Sequence, residues 1–147
     1  MFKLLPVKIK AVTLDQGGSF LVLLCDDKET KILPIAIGPF EAQSIALVLQ
    51  GQAAPRPLTH DLLKTLCEQL EGTVEKVIIT DIMDSTFYAE IYVRHKGQIL
   101  VIDSRPSDAI ALALRCEAPI YMADKLVEFT YDYQDIISSE QTDEGLH

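Results

Sequence analysis

The chain repeats itself at an offset of 67 residues. Residues 32–47, ILPIAIGPFEAQSIAL, align without a gap with residues 99–114, ILVIDSRPSDAIALAL, and seven of the paired positions are identical. A repeat of this size indicates a duplicated supersecondary unit. We therefore expect an α+β fold in which two β-β-β-α units share one core. Residues that differ between the copies are candidates for function: Asp103, Ser104 and Arg105 replace Ala36, Ile37 and Gly38.

The composition is that of a well-packed globular protein. The chain has 147 residues, 48% of them hydrophobic, and this length favours a single domain. It has no apolar run near the roughly 20 residues that span a bilayer and no signal-peptide pattern, so we expect no membrane association. The three cysteines show no pairing motif and predict reduced thiols, and hence a cytoplasmic protein.

The charge is acidic, and part of the acidity lies in a C-terminal tail. The formal net charge is −9. We expect a domain over residues 1–137, with repeats at about 7–72 and 74–137, followed by an acidic tail over 138–147. Binding of nucleic acid by bulk electrostatics is excluded, because phosphates require clustered Lys and Arg. Any nucleic-acid site must be locally basic or use a metal.

Hydrophobic periodicity and turn signals place the secondary structure. A further helix is expected between the copies, with Thr59 as its N-cap and Gly72 closing it. The predicted strands are 7–14, 20–25, 31–37, 74–83, 86–94, 98–103 and 120–123, and the predicted helices are 39–51, 60–71 and 106–116.

The segment DSRPSDA, residues 103–109, lies at a predicted strand-to-helix junction. Asp103 or Ser104 can cap the helix, and Asp108 suits the positive end of its dipole. Arg105 needs another explanation, because a cation opposes the dipole there. Its partner is either an internal carboxylate or an anionic ligand such as phosphate.

The segment RPLTHDLL, residues 56–63, holds one of three histidines in the chain. His60 beside Asp61 can serve as a general base or a metal ligand. Alternatively, both occupy the polar first turn of a helix whose leucines, Leu62, Leu63 and Leu66, face inward. Both interpretations stay open on the residues alone.

The remaining chemistry-bearing residues are mostly carboxylates. The hairpin segment 84–88, DSTFY, is typical of a structural turn, although Thr86 or Tyr88 can line a pocket. Zinc, calcium and nucleotide-cofactor motifs are absent from the sequence. Carboxylates suit Mg²⁺ or Mn²⁺ if they converge, and a pseudo-twofold axis between the copies would bring the two repeat helices together. The carboxylates are Glu41, Asp61, Asp103 and Asp108.

Four motifs in order, PIAIGPFEA (34–42), RPLTHDLL (56–63), DSTFYAEI (84–91) and DSRPSDAIALAL (103–114), resemble the bifunctional nuclease family. The resemblance covers about residues 7–137 and implies a nuclease acting on RNA and DNA, and a homodimer. The family pattern falls on Glu41, Arg56, His60, Asp61, Thr86, Tyr88, Asp103, Arg105 and Asp108.

From this resemblance we assign roles by chemistry. Glu41, Asp103 and Asp108 would hold Mg²⁺ or Mn²⁺, which activates water. His60 would act as general acid or base with Asp61 beside it, and Arg105 would stabilise charge on the phosphate. The predicted catalytic residues are His60, Asp61, Arg105 and Asp108, and the predicted substrate-binding residues are Arg56, Thr86 and Tyr88.

A second hypothesis is a non-enzymatic dimeric regulatory or adaptor module that binds an anionic ligand or a protein partner. Arg105, Asp108 and Glu41 would then form an internal network. The direction of Arg105 separates the two hypotheses. A buried, carboxylate-paired Arg105 favours the module, and an Arg105 that lines an open cleft with His60 favours the enzyme.

Overall fold

The computed structural model describes residues 3–136, which form one mixed sheet with helices packed against it. The acidic tail predicted at 138–147 lies outside these residues. The strands are β1 (Leu4–Leu14), β2 (Phe20–Asp26), β3 (Lys31–Ile37), β4 (Gly72–Met83), β5 (Thr86–His95), β6 (Gln98–Ser104), β7 (Ile120–Ala123) and β8 (Tyr131–Asp132). The α-helices are α1 (Pro39–Leu49), α2 (Thr59–Gln69) and α3 (Pro106–Cys116), and Asp124–Phe129 is a 3₁₀ helix.

The sheet consists of two antiparallel three-stranded meanders joined through β7. Its strand order is β6-β5-β4-β7-β1-β2-β3-β8. Strand β7 pairs parallel with β4 and antiparallel with β1, so a strand from the end of the second unit closes the seam between the units. As a result, β6 lies at one edge of the sheet, and β3 is covered by β8 at the other.

The predicted α+β class is confirmed, and the elements recur at the 67-residue offset. Strand β6 and helix α3 begin and end one offset after β3 and α1. Helix α2 follows only the first unit. The similarity of order is a structural fact, whereas duplication as its origin stays a prediction.

Several predicted boundaries were wrong at the helix ends. Leu58, not Thr59, is the N-cap of α2, and its N–H donates to the Asp61 carboxylate at 2.8 Å. Neither Asp103 nor Ser104 caps α3, whose N-cap is Arg105 without a side-chain cap bond. Glu71, with a φ of 65°, makes the turn assigned to Gly72, which instead begins β4.

The core lies between the sheet and helices α1 and α3, and α2 packs outside it against α3. Helix α3 is almost wholly buried, including Ile110 and Leu112. In α2 the only buried residue is His60, so the expectation that Leu62, Leu63 and Leu66 face inward was wrong. An outer helix has too little core contact to cover its leucines, and Leu63 and Leu66 border a groove instead.

Helices of 11 residues are the longest that the structure describes in residues 3–136, and none is long and apolar enough to cross a membrane. The three cysteines are free thiols, with Cys25 buried and Cys67 and Cys116 half-buried.

Candidate functional site

The first turns of α1 and α3 meet at a single arginine. The Nη2 atom of Arg105 lies 2.8 Å from Oε1 of Glu41 and 2.8 Å from Oδ2 of Asp108. Its Nε donates to the same Asp108 oxygen at 2.9 Å. Glu41 and Asp108 are equivalent positions of the two repeats, so one cation offsets part of the charge of both acids.

The sequence difference between the repeats explains how this contact forms. Gly38, the N-cap of α1, stands at the position that Arg105 occupies in the second unit. A Cβ at Gly38 would lie 2.6 Å from Oε2 of Glu41. Glycine therefore lets the Glu41 carboxylate fold back over its own helix terminus, where the arginine of the other unit reaches it.

His60 anchors the other side of Asp108. The residue is 5% exposed, with Nδ1 2.7 Å from the Ser44 hydroxyl and Nε2 2.9 Å from Oδ1 of Asp108. An ionised carboxylate only accepts hydrogen bonds, so in the neutral ring Nε2 carries the hydrogen and Nδ1 accepts from Ser44. We call Glu41, Ser44, His60, Arg105 and Asp108 the His60 cluster.

Asp108 stays ionised in this setting. Burial alone would raise the pKa of its carboxyl, but hydrogen bonds from His60 and Arg105 outweigh burial and hold the pKa below its usual range. A carboxylate fixed on both oxygens is a rigid acceptor at neutral pH. It can therefore orient a water molecule or another donor that enters the cleft.

Asp61 forms an ion pair with Arg115, and the contacts of this pair link the three helices. Its Oδ1 accepts from Nε of Arg115 at 2.7 Å. Arg115 is nearly buried and also donates to the carbonyl oxygens of Ala111 and Ser44. Burial would raise the pKa of Asp61, but the Leu58 N–H and the Arg115 guanidinium lower it below the usual range.

Two cavities flank the His60 cluster and share Thr59, His60, Arg105 and Asp108 as a common wall. The larger, about 860 Å³, is an apolar groove between α2 and strands β5 and β6. The smaller, about 320 Å³, lies between α1 and the first turn of α2. The Arg105 side chain is 67% exposed between them. Arg105 therefore lines an open cleft with His60, which is the arrangement expected of the enzyme. It is also paired with two carboxylates, as expected of the module.

The other residues singled out on the sequence do not reach the cluster. Arg56 lines a separate cavity beside Asp61 and Arg115. Because Ala89 faces the core, alternation directs Tyr88, and Thr86 two residues earlier, to the opposite face of the sheet. Asp103 pairs with Glu90 of β5 and also lines the larger cavity together with Arg105.

The side chains present do not make a metal-binding set. Among residues 3–136, no group of three or more His, Cys, Asp and Glu side chains is arranged to hold a metal ion. The carboxylates of Glu41 and Asp108 both bind Arg105. The predicted ligand set of Glu41, Asp103 and Asp108 therefore does not converge in this arrangement.

Sequence reasoning missed three residues of this region. Ser44 and Arg115 complete the polar contacts, and Phe40, 82% exposed, borders the smaller cavity. The available signals were a serine within the apolar helix sequence of α1, an arginine in the last turn of α3, and an aromatic residue directly after the Pro39 helix start.

The family model of the bifunctional nuclease domain matches residues 22–131. The chain therefore belongs to the bifunctional nuclease domain family. An uncharacterized protein of Mycobacterium tuberculosis is 37% identical over 122 residues, which cover 82% of this chain and 73% of that protein.

Plant relatives match over a smaller share of their own length. Bifunctional nuclease 1 of Oryza sativa subsp. japonica is 32% identical over 105 residues, 68% of this chain and 31% of that protein. Bifunctional nuclease 2 of Arabidopsis thaliana is 29% identical over 105 residues, 69% of this chain and 32% of that protein. The chain spans about a third of these plant proteins.

Proposed function

We propose that this chain is a nuclease that hydrolyses phosphodiester bonds in RNA and DNA. Membership of the family and the names of the plant relatives support the reaction class. The observation that carries the proposal is the pairing of an exposed arginine with an ionised, doubly anchored aspartate in a cleft. This pairing combines a phosphate-binding cation with an acceptor for water.

Arg105 is the phosphate-binding residue of this proposal. Its bonds to Glu41 and Asp108 use Nε and Nη2. The two N–H groups of Nη1 have no partner among residues 3–136, so they are free to donate to phosphate oxygens. The two carboxylates hold the guanidinium plane in place, which reduces the ordering required when substrate binds.

Asp108 orients the attacking water, and His60 positions Asp108. DNA lacks a 2′-hydroxyl, so an enzyme that cleaves both nucleic acids in the same way cannot take its nucleophile from the substrate. Water is the nucleophile in this proposal. Because both ring nitrogens of His60 already have partners, the histidine acts through Asp108 and not directly on substrate. As the water oxygen bonds to phosphorus and the P–O bond to the leaving nucleotide breaks, the water proton would pass toward Asp108 and the leaving oxygen would take a proton from solvent. Arg105 would stabilise the charge that grows on the phosphate.

A requirement for Mg²⁺ or Mn²⁺ stays a prediction. The proposed roles of Arg105 and Asp108 do not depend on it. Assays with each metal and with EDTA test the requirement separately from the roles of the residues.

The decisive experiment measures cleavage of single-stranded RNA and single-stranded DNA by purified protein. Wild type is compared with Asp108→Asn and with Arg94→Ala, the latter removing an arginine that pairs with Glu75. Activity that is lost in folded Asp108→Asn and kept in Arg94→Ala supports the proposal. Full activity in Asp108→Asn contradicts it.

The adaptor hypothesis has one observation in its favour. Arg105 is paired with both Glu41 and Asp108, which is the internal network that this hypothesis expects. Absence of cleavage under every metal condition, with specific binding of an anionic ligand or of an acidic segment of a protein partner, would favour this module.

We further propose that the chain forms a homodimer through β6. Within residues 3–136 this strand is at the sheet edge, and Ile99, Leu100, Val101 and Ile102 are each 44–50% exposed. An unpaired apolar edge is a template for another strand.

We place the protein in a reducing compartment, the cytoplasm. The support is the three free cysteines, none of which forms a disulfide. Cell fractionation with a compartment marker tests this.

A further inference from the structure

The smaller cavity has the composition of a site for one nucleotide. It holds about 320 Å³, near the lower end of the roughly 300–1,000 Å³ range of small-ligand pockets. Its lining combines an aromatic ring, an amide, a hydroxyl and a guanidinium. These groups come from Phe40, Gln43, Thr59 and Arg105.

Phe40 is the residue that most indicates a ligand in this cavity. It is 82% exposed at the start of α1, the largest exposed fraction among the large hydrophobic residues described. Isolated exposed apolar side chains are common on surfaces. Phe40, however, borders a cavity that is also lined by Arg105, the only arginine of the His60 cluster. A flat apolar surface and a phosphate-binding group therefore face the same space.

We propose that this cavity binds the nucleotide adjacent to the cleaved phosphodiester, with its base stacked on Phe40 and its phosphate on Arg105. The inference rests on the nuclease function proposed above. Stacking on an aromatic ring tolerates every base, because each base has a π face. The same subsite therefore serves RNA and DNA.

The polar lining is arranged for this ligand. Gln43 lies one helical turn after Phe40 on α1, so its amide can reach the edge of a base that covers the ring. Thr59 contributes a hydroxyl from the opposite wall. Ser44 also lines the cavity, but its hydroxyl is bound to His60 and contributes only to the floor.

The larger groove does not fit a nucleotide as well. Its lining is dominated by leucine, isoleucine and valine side chains, and it carries no Phe, Tyr or Trp ring. A base there would lose hydration and find no ring larger than the imidazole of His95 on which to stack. The two sides of Arg105 therefore differ in chemistry, and only the side with Phe40 suits a base.

The absence of tryptophan from the chain permits a direct test. Phe40→Trp introduces a single indole whose fluorescence reports stacking. The probe is oligothymidylate with phosphorothioate linkages, which resists cleavage during titration. Phe129→Trp, at an exposed phenylalanine outside both cavities, is the matched control.

We expect the oligonucleotide to quench the fluorescence of Phe40→Trp in a saturable manner and to leave that of Phe129→Trp unchanged. Phe40→Leu should bind the same oligonucleotide about tenfold more weakly, with Phe129→Leu at wild-type affinity. Thymidine 5′-monophosphate should also quench the Phe40→Trp variant, and inorganic phosphate should not. Equal competition by phosphate alone would reduce the site to an anion site and overturn the inference.

The test separates this inference from the nuclease proposal. Cleavage by wild type, with neither quenching in Phe40→Trp nor weakened binding by Phe40→Leu, would overturn the subsite and leave the nuclease intact. Quenching and weakened binding without any cleavage would support the subsite and contradict the nuclease.

Discussion

The Ser44 hydroxyl donates a hydrogen bond to Nδ1 of His60 over 2.7 Å inside the protein. This bond sets the tautomer that presents Nε2–H to Asp108. Ser44→Ala leaves a buried acceptor without its partner, which costs about 1–3 kcal/mol of unfolding free energy. We also expect nuclease activity to fall about tenfold, because His60 then positions the Asp108 carboxylate less firmly.

Urea unfolding and cleavage rates measure these effects. Ser107→Ala, at a buried serine of α3 whose hydroxyl takes no part in this chain of bonds, is the matched control. If Ser44→Ala matches wild type in both measurements, the proposed role of Ser44 is wrong.

Arg105 should matter for activity far more than for stability. Its side chain is largely exposed, and exposed ion pairs contribute about 0–1 kcal/mol. We expect Arg105→Ala to lower the cleavage rate by about 100-fold or more, because charge on the phosphate loses its donor. Arg94→Ala, which breaks another exposed ion pair on the other face of the sheet, should retain activity. A drop of similar size in both variants would contradict the assignment.

Arg115 should matter for stability. It is nearly buried and joins α3 to Asp61 of α2 and to the Ser44 carbonyl of α1. Arg115→Met removes hydrogen bonds made by a charged donor, and we expect a loss of about 2–4 kcal/mol in unfolding free energy. Lys125→Met, which breaks the exposed pair with Asp81, should change it by less than about 1 kcal/mol. Similar losses in the two variants, measured by chemical denaturation, would contradict this role of Arg115.

The stability should depend on pH through Asp61. Its pKa is lowered in the folded protein, with burial opposed by the Leu58 N–H and Arg115. The unfolded chain therefore binds the proton first, so this contribution is complete above the ordinary carboxyl pKa of about 3.9 and is lost as pH falls through the folded value. Asp61→Asn should be less stable than wild type at pH 7.

The difference between wild type and Asp61→Asn should narrow as the pH falls from about 5 toward 2. Urea midpoints by circular dichroism across that range measure it. Asp84→Asn, in an exposed hairpin turn, is the control and should stay parallel to wild type. A constant gap for Asp61→Asn at every pH would exclude this linkage.

The β6 edge should control assembly. Wild type should have twice the chain mass of 16.4 kDa, and Val101→Lys should have the monomer mass, because a charged side chain at the middle of the edge opposes pairing. Leu14→Lys, at an exposed leucine at the end of β1, should stay dimeric. Light scattering after gel filtration distinguishes these masses, and a monomeric wild type would contradict the proposed interface.

Local pattern determined much of the fold. The strand-to-helix junctions at Pro39 and Pro106 follow from the preference of proline for the first helical position, and α3 has the predicted bounds. The motifs also indicated the family and the region of Glu41, His60 and Asp108. These features depend on residues a few positions apart, for which periodicity and turn preference carry the information.

The composition of the site was decided by contacts between distant segments. His60 meets Ser44 across 16 residues and Asp108 across 48, and Arg115 meets Asp61 across 54. No local preference encodes such pairs, because they form only when three helices pack together. For the same reason, tertiary structure alone showed that Thr86 and Tyr88 lie on the opposite face of the sheet, and that Leu63 and Leu66 of α2 border a groove.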